Sequence, residues 1–267
     1  MRTKKDFLII VEGAKTEKDI LEAVFQKYNF DVHRCGQMQL SNSDLYNNDK
    51  CFFEKDLLES QNDRVFIIQG ERNRLSDWLK CMNKSAFDYS TAFREYVDGF
   101  AGVFVLYDLD HNSNDVIEQM TEKFNSETDV GLLLLSSPCI EVMSDYEHRE
   151  IRVEHLSEYK SNCNVQTQKE HYMSAKDYII DNFEQIAVRY LDQNTNDFNE
   201  KNVMEHPKLV ASKINQTNIR ALDGNGVQYV ICRYFTTVIY VCVAYIMGLT
   251  KEIDNAEIVK EFLLHNL

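Results

Sequence analysis

The sequence has few residues that interrupt secondary structure, and its cysteines show no pattern of cross-links. It has two prolines and nine glycines in 267 residues, and no repeat, low-complexity tract or flexible linker, so composition marks no domain boundary. Its seven cysteines form no CxxC pair and no cysteine–histidine spacing typical of zinc. We therefore expect neither a disulfide framework nor a zinc site, and a reduced cytoplasmic compartment fits best.

Long hydrophobic runs are also missing. The charge-free stretch Tyr234–Gly248 is shorter than the ~20 residues that cross a bilayer, so we expect a buried core helix over Gln228–Gly248 and no membrane partner. The apolar start at residues 7–11 has the length of a strand and is not a signal peptide.

Positive charge is in deficit. The sequence has 29 Lys and Arg against 43 Asp and Glu, a formal charge of −14. This argues against a protein that coats nucleic acid with a broad basic face. It does not exclude an enzyme that meets phosphate through a bound cation, because a divalent metal reverses the local charge. With 44% hydrophobic residues, the chain can form a sizeable core.

The first half alternates short apolar runs with helical patterns. Four strands are predicted, at 7–11, 65–68, 103–107 and 131–135, with helices near 16–25, 71–97 and 116–124. This order predicts an α/β fold with a four-stranded parallel sheet flanked by helices. After residue 145 the pattern is mostly helical, so we divide the chain into a catalytic domain, 1–145, and a helical extension, 146–267.

Acidic residues follow two of the predicted strands. Glu12 follows the first strand, and Asp108 and Asp110 follow the third. Residues i and i+2 of an extended segment point to the same side, so the two aspartates should face one place. Such carboxylates are tolerated when they are solvated or share a cation, and oxygen ligands favour Mg²⁺ or Mn²⁺. We expect them to contribute little to stability, so that alanine substitutions leave the fold intact.

The order strand–Glu-Gly–helix and then strand–Asp-x-Asp resembles the Toprim domain of topoisomerases, primases and overcoming-lysogenization-defect nucleases. The resemblance covers roughly residues 6–142. It implies a Rossmann-like fold in which Glu12, Asp108 and Asp110 hold Mg²⁺ for phosphodiester chemistry, with Glu12 as an alternative general acid or base.

The segment Leu134–Val142, LLSSPCIEV, is similar to the S-N-P-C-F-E-L-W signature of RloB-like Toprim proteins, and the PARIS defence system has a related Toprim partner. Ser137 and Met143 depart from the usual Asn and Trp. The resemblance implies a nuclease effector of a bacterial antiphage abortive-infection system, controlled by an ABC-type or SMC-like ATPase. Its nucleic acid substrate is tRNA or DNA, and a homodimer is a further possibility.

Weaker candidates surround these carboxylates. Glu141 could reach the metal or only shape its loop, Glu17 is explained by helix capping, and His111 is either a phosphate contact or an ordinary loop residue. Four cations are candidates for phosphate binding and are more often plain surface residues: Lys15, Lys18, Arg149 and Arg152.

Two other functions compete with a nuclease. A degenerate Toprim-derived module could bind a metal or the ATPase without cutting anything. A small-molecule phosphatase would need a downstream lysine or threonine motif that the sequence does not show. The leading hypothesis is a metal-dependent endonuclease.

Overall fold

The central sheet has six strands in the order β2-β3-β1-β4-β6-β5. A computed structural model of the protein describes residues 4–40, 62–84, 88–109, 112–136, 139–145, 150–153, 156–169, 171–192, 208, 211–212, 228–231 and 237–250. The strands are β1 Asp6–Val11, β2 Asp31–Gln37, β3 Arg64–Gln69, β4 Gly102–Asp108, β5 Asn125–Ser126 and β6 Gly131–Ser136. β1 pairs in parallel with β3 and β4, and β2 pairs in parallel with β3, whereas β5 is antiparallel to β6. The fold is therefore α/β with a mostly parallel sheet.

All four predicted strands are confirmed, but the sheet has six strands instead of the predicted four. β1, β3, β4 and β6 are continuous apolar runs with buried side chains, as expected for strands covered on both faces. β2 was missed because its sequence, DVHRCGQ, is mostly polar, and six of its seven residues are half-buried or exposed at the edge of the sheet. β5 has only two residues, too few to leave a pattern.

The described residues of this part of the chain include four helices: α1 Thr16–Lys27, α2 Leu75–Met82, α3 Tyr89–Val97 and α4 Asn114–Lys123. The single helix predicted over 71–97 is wrong, because α2 ends at Met82 and a separate helix, α3, begins at Tyr89. The Asp88 side chain accepts a hydrogen bond from the Thr91 amide at 3.1 Å, which is a standard N-cap.

The chain forms two compact units. The first comprises Met1–Leu106 and Asp115–Leu133, and the second comprises Tyr107–Asn114 and Leu134–Leu267. In the first unit, aromatic rings pack beside the sheet: the Phe124 ring centroid lies 5.0 Å from that of Trp78 and 5.2 Å from that of Phe93. The functional boundary at residue 145 stays a prediction.

The second unit contains helices and a small second sheet. Its further elements are the 3₁₀ helix η1 Ile140–Ser144, β7 Glu150–Val153, α5 Leu156–Lys169, α6 Ala175–Asp192, β8 Gln228–Ile231 and α7 Thr237–Thr250. β7 and β8 pair antiparallel. The amphipathic pattern over 175–190 predicts a helix, and α6 confirms it. A helix is also predicted at 208–215 and a turn at 223–226, and these lie largely or wholly outside the described residues.

A core helix over the whole of Gln228–Gly248 was also wrong. Its first four residues, QYVI, are a strand, and the helix α7 begins only at Thr237. An apolar run alone does not separate a buried helix from a buried strand. The helical part is buried as expected, from Val241 to Met247. Within the described part of the chain, no helix has both the length and the apolar character that crossing a membrane requires.

Candidate metal centre

Asp108 is the last residue of β4, and it is buried. The hydrophobic strand carries it to the carboxyl end of the sheet, where only 5% of the residue is exposed. The next residue is held by β6, because the Leu109 amide donates to the Ser136 carbonyl at 2.7 Å. The expectation of a solvated strand-end carboxylate is wrong for Asp108.

Both carboxylate oxygens of Asp108 have protein partners. Oδ1 accepts a hydrogen bond from the Ile140 amide at 3.0 Å, and Oδ2 accepts one from Lys160 Nζ at 3.2 Å. The Lys160 side chain is 33% exposed and that of Asp108 is 7% exposed. Sequence analysis missed Lys160, because a single lysine on a weakly amphipathic helix 52 residues away carries no pattern.

Glu141 and Cys139 approach Asp108 from the loop and 3₁₀ helix that follow β6. Each of the three side chains offers one ligand atom, and these atoms all lie within 4.8 Å of one another. Glu141 Oε2 is buried and finds no hydrogen-bond partner among the described residues. A buried carboxylate oxygen is costly when unpaired, so this atom fits a bound cation.

The chemistry of the three donors favours a hard cation. Burial, and then the negative charges of Asp108 and Glu141, raise the pKa of the Cys139 thiol well above its usual value. Cys139 is thus a neutral thiol at neutral pH and a weak ligand, since metals bind the thiolate. The two carboxylates can hold Mg²⁺ or Mn²⁺, whereas a softer metal would have to displace the thiol proton.

Glu12 and Glu17 lie in the first unit. The Glu12 amide donates to the Leu106 carbonyl at 3.0 Å, so Glu12 directly follows the paired part of β1 and β4. Glu17 is in the first turn of α1 and is 8% exposed. Its carboxylate lies against Gly13, where a β-carbon would collide with it. The collision is with the end of a flexible side chain, so a larger residue at position 13 would displace the Glu17 carboxylate.

The predicted phosphate contacts have different surroundings. Lys15 is exposed just before α1, at a site compatible with a ligand. Lys18 is buried, and its Nζ donates to the carbonyls of Cys35 at 2.6 Å and Gly36 at 3.0 Å, which ties α1 to β2. Four of the predictions lie outside what the structure describes: Asp110, His111 and Arg149 entirely, and Arg152 in its side chain.

No protein-family model, curated protein or solved structure matches this chain. The Toprim resemblance therefore stays a prediction from the residues that carry it.

Proposed function

We propose that the protein is a metal-dependent endonuclease that hydrolyses phosphodiester bonds in nucleic acid. The observation that carries the proposal is the pair of carboxylates, Asp108 and Glu141, each of which offers one oxygen to a group of ligand atoms that lie within 4.8 Å of one another. The buried Glu141 Oε2 without a described partner supports it. Open parallel sheets commonly bind ligands at the carboxyl ends of their strands, and Asp108 is at such an end.

In this proposal Asp108 and Glu141 hold Mg²⁺ or Mn²⁺ through carboxylate oxygens. When bound, the cation polarises a phosphoryl oxygen and lowers the pKa of an attacking water. The Ile140 amide fixes the Asp108 carboxylate through Oδ1. The cation would then take Oδ2, in place of the hydrogen bond that Oδ2 accepts from Lys160 Nζ. The Toprim resemblance adds Glu12 and Asp110 as further ligands, or Glu12 as the general acid or base.

The charge of the chain bears on the substrate. With a formal net charge of −14, the protein surface as a whole attracts nucleic acid poorly. A cation bound at the site, and a partner that presents the substrate, would both offset this repulsion. The RloB-like and PARIS-like resemblance supplies the rest of the proposal. The substrate is tRNA or DNA, and an ABC-type or SMC-like ATPase releases the activity during phage infection.

The test uses the purified full chain, together with the ATPase proposed to release its activity, and labelled tRNA and plasmid DNA as substrates. Cleavage should require Mg²⁺ or Mn²⁺, stop in EDTA, and fall at least about a hundredfold in Glu141→Gln, because one ligand is lost. Glu158→Gln is the matched control, since Glu158 is exposed on α5. Cleavage that persists in EDTA, or that Glu141→Gln leaves unchanged, contradicts the proposal.

One observation favours a second candidate, a non-catalytic binding or assembly module. Both oxygens of Asp108 are already occupied by Ile140 and Lys160, as they would be in a purely structural carboxylate. A module of this kind would retain its partner ATPase after Asp108→Asn and Glu141→Gln, and would leave all nucleic acid intact. Co-purification of the variants with the ATPase measures this.

A further inference from the structure

The two oxygens of Asp108 differ in what they can still bind. Oδ1 receives a backbone amide, which is fixed by the fold at Ile140. Oδ2 receives the ammonium of Lys160, which is carried on a flexible four-carbon stem and is one-third exposed. A cation that binds Asp108 at Oδ2 meets the ammonium there.

The neighbouring ligand atoms increase this conflict. Those of Glu141 and Cys139 lie within 4.8 Å of the Asp108 carboxylate, so a shared cation has little space in which to avoid the ammonium. Two positive charges at such distances repel strongly in a partly buried site. The ammonium therefore has to leave Oδ2 when the cation arrives, and its partial exposure gives it a path to solvent.

We propose that Lys160 is an internal counter-ion that neutralises Asp108 in the cation-free protein and competes with the divalent cation for Oδ2. This inference rests on the proposed function, because it takes the cation site at Asp108 and Glu141 as given. Its consequence is that Lys160 weakens cation binding and keeps a buried carboxylate neutralised when no cation is present. In this role Lys160 does not touch the cation and affects its binding only through Asp108.

The experiment measures cation binding by the full chain without substrate. Mn²⁺ is titrated and free Mn²⁺ is followed by electron paramagnetic resonance, with Mg²⁺ as the competitor. Lys160→Met should bind Mn²⁺ about tenfold more tightly than the wild type, because the competing charge is gone. Lys160→Arg should keep the wild-type affinity, as should the control Lys84→Met, which removes an exposed lysine outside the site.

Three results overturn the inference, and they are distinguishable. Equal or weaker Mn²⁺ binding by Lys160→Met refutes the counter-ion alone, provided that Glu141→Gln still abolishes binding. If Lys84→Met raises the Mn²⁺ affinity as much as Lys160→Met does, the increase is a general charge effect and the counter-ion role of Lys160 is refuted. Absence of binding to both the wild type and Lys160→Met refutes the cation site itself, and with it the proposed function. If circular dichroism shows that Lys160→Met is unfolded, Lys160→Gln replaces it.

Discussion

Replacing Asp108 should destabilise the protein by an amount that depends on whether its contact with the Ile140 amide or with Lys160 is lost. Asp108→Ala removes the acceptor of the Ile140 amide, a bond to a charged group that contributes about 1.5–3 kcal/mol. It also removes the ion pair with Lys160. At 3.2 Å and an effective dielectric constant of about 20, the gross attraction is about 5 kcal/mol, most of which desolvation offsets.

Because Lys160 is partly exposed, the ion pair retains a net contribution of about 1 kcal/mol. We therefore expect Asp108→Ala to lower the free energy of unfolding by about 2–4 kcal/mol, a fall in Tm of roughly 5–12 °C for a chain of this length. Asp108→Asn keeps an oxygen for the Ile140 amide and should lose only about 1–2 kcal/mol.

Differential scanning calorimetry and urea titration of the wild type and both variants measure these losses. Lys160→Met leaves Asp108 buried without its ammonium partner, so its loss of stability measures the contribution of the ion pair alone. A Tm of Asp108→Ala within about 1 °C of the wild type would refute the reasoning, since it would mean that the carboxylate is solvated. Equal losses in the Ala and Asn variants would refute the part assigned to the Ile140 amide.

Three further substitutions test the fold of the first unit. Burial, and then the charge of Arg64, lower the pKa of His33 below 6.5, so its contribution to stability is present above that pH and is lost as the pH falls towards the lowered pKa. His33→Gln should flatten the dependence of unfolding free energy on pH between about 7.5 and 5.5, and an unchanged slope would exclude His33 as its source. Tyr89→Phe should cost about 1–3 kcal/mol, because the buried Trp78 indole donates to the Tyr89 hydroxyl at 2.5 Å; a neutral result in urea titration would contradict this bond. Leu106→Asp should abolish the folded circular dichroism spectrum, because it places an unpaired charge in the centre of β4; a folded variant would show that the strand is misplaced.

The strands of the sheet could be predicted where burial on both faces requires a continuous apolar sequence. β1 and β4 are continuous apolar runs because both of their faces are covered, and no turn residue interrupts them. β2 has polar and exposed residues because it is an edge strand, so its sequence resembles a loop. The run Gln228–Gly248 predicted burial correctly for residues 241–247, but it did not predict the change from strand to helix, which depends on pairing with the distant strand β7.

The candidate site was predictable only in part, for a similar reason. Asp108 could be placed at a strand end and Glu141 near it, because each follows a recognisable apolar run. The buried position of Asp108 depends on the Ile140 amide and on Lys160, which are 32 and 52 residues away from Asp108 in sequence. Contacts of this range come from packing in three dimensions, and no spacing rule encodes them.

The central claim is tested most directly in cells. The wild type, Glu141→Gln, Asp108→Asn and the control Glu158→Gln are expressed with the ATPase that is proposed as the partner and challenged with phage. Total DNA and small RNA are then resolved on gels. We predict fragmentation of one nucleic acid class with the wild type and the control, and intact nucleic acid with the two site variants. Phage protection that survives both site substitutions, with all nucleic acid intact, would contradict the nuclease and favour the binding module.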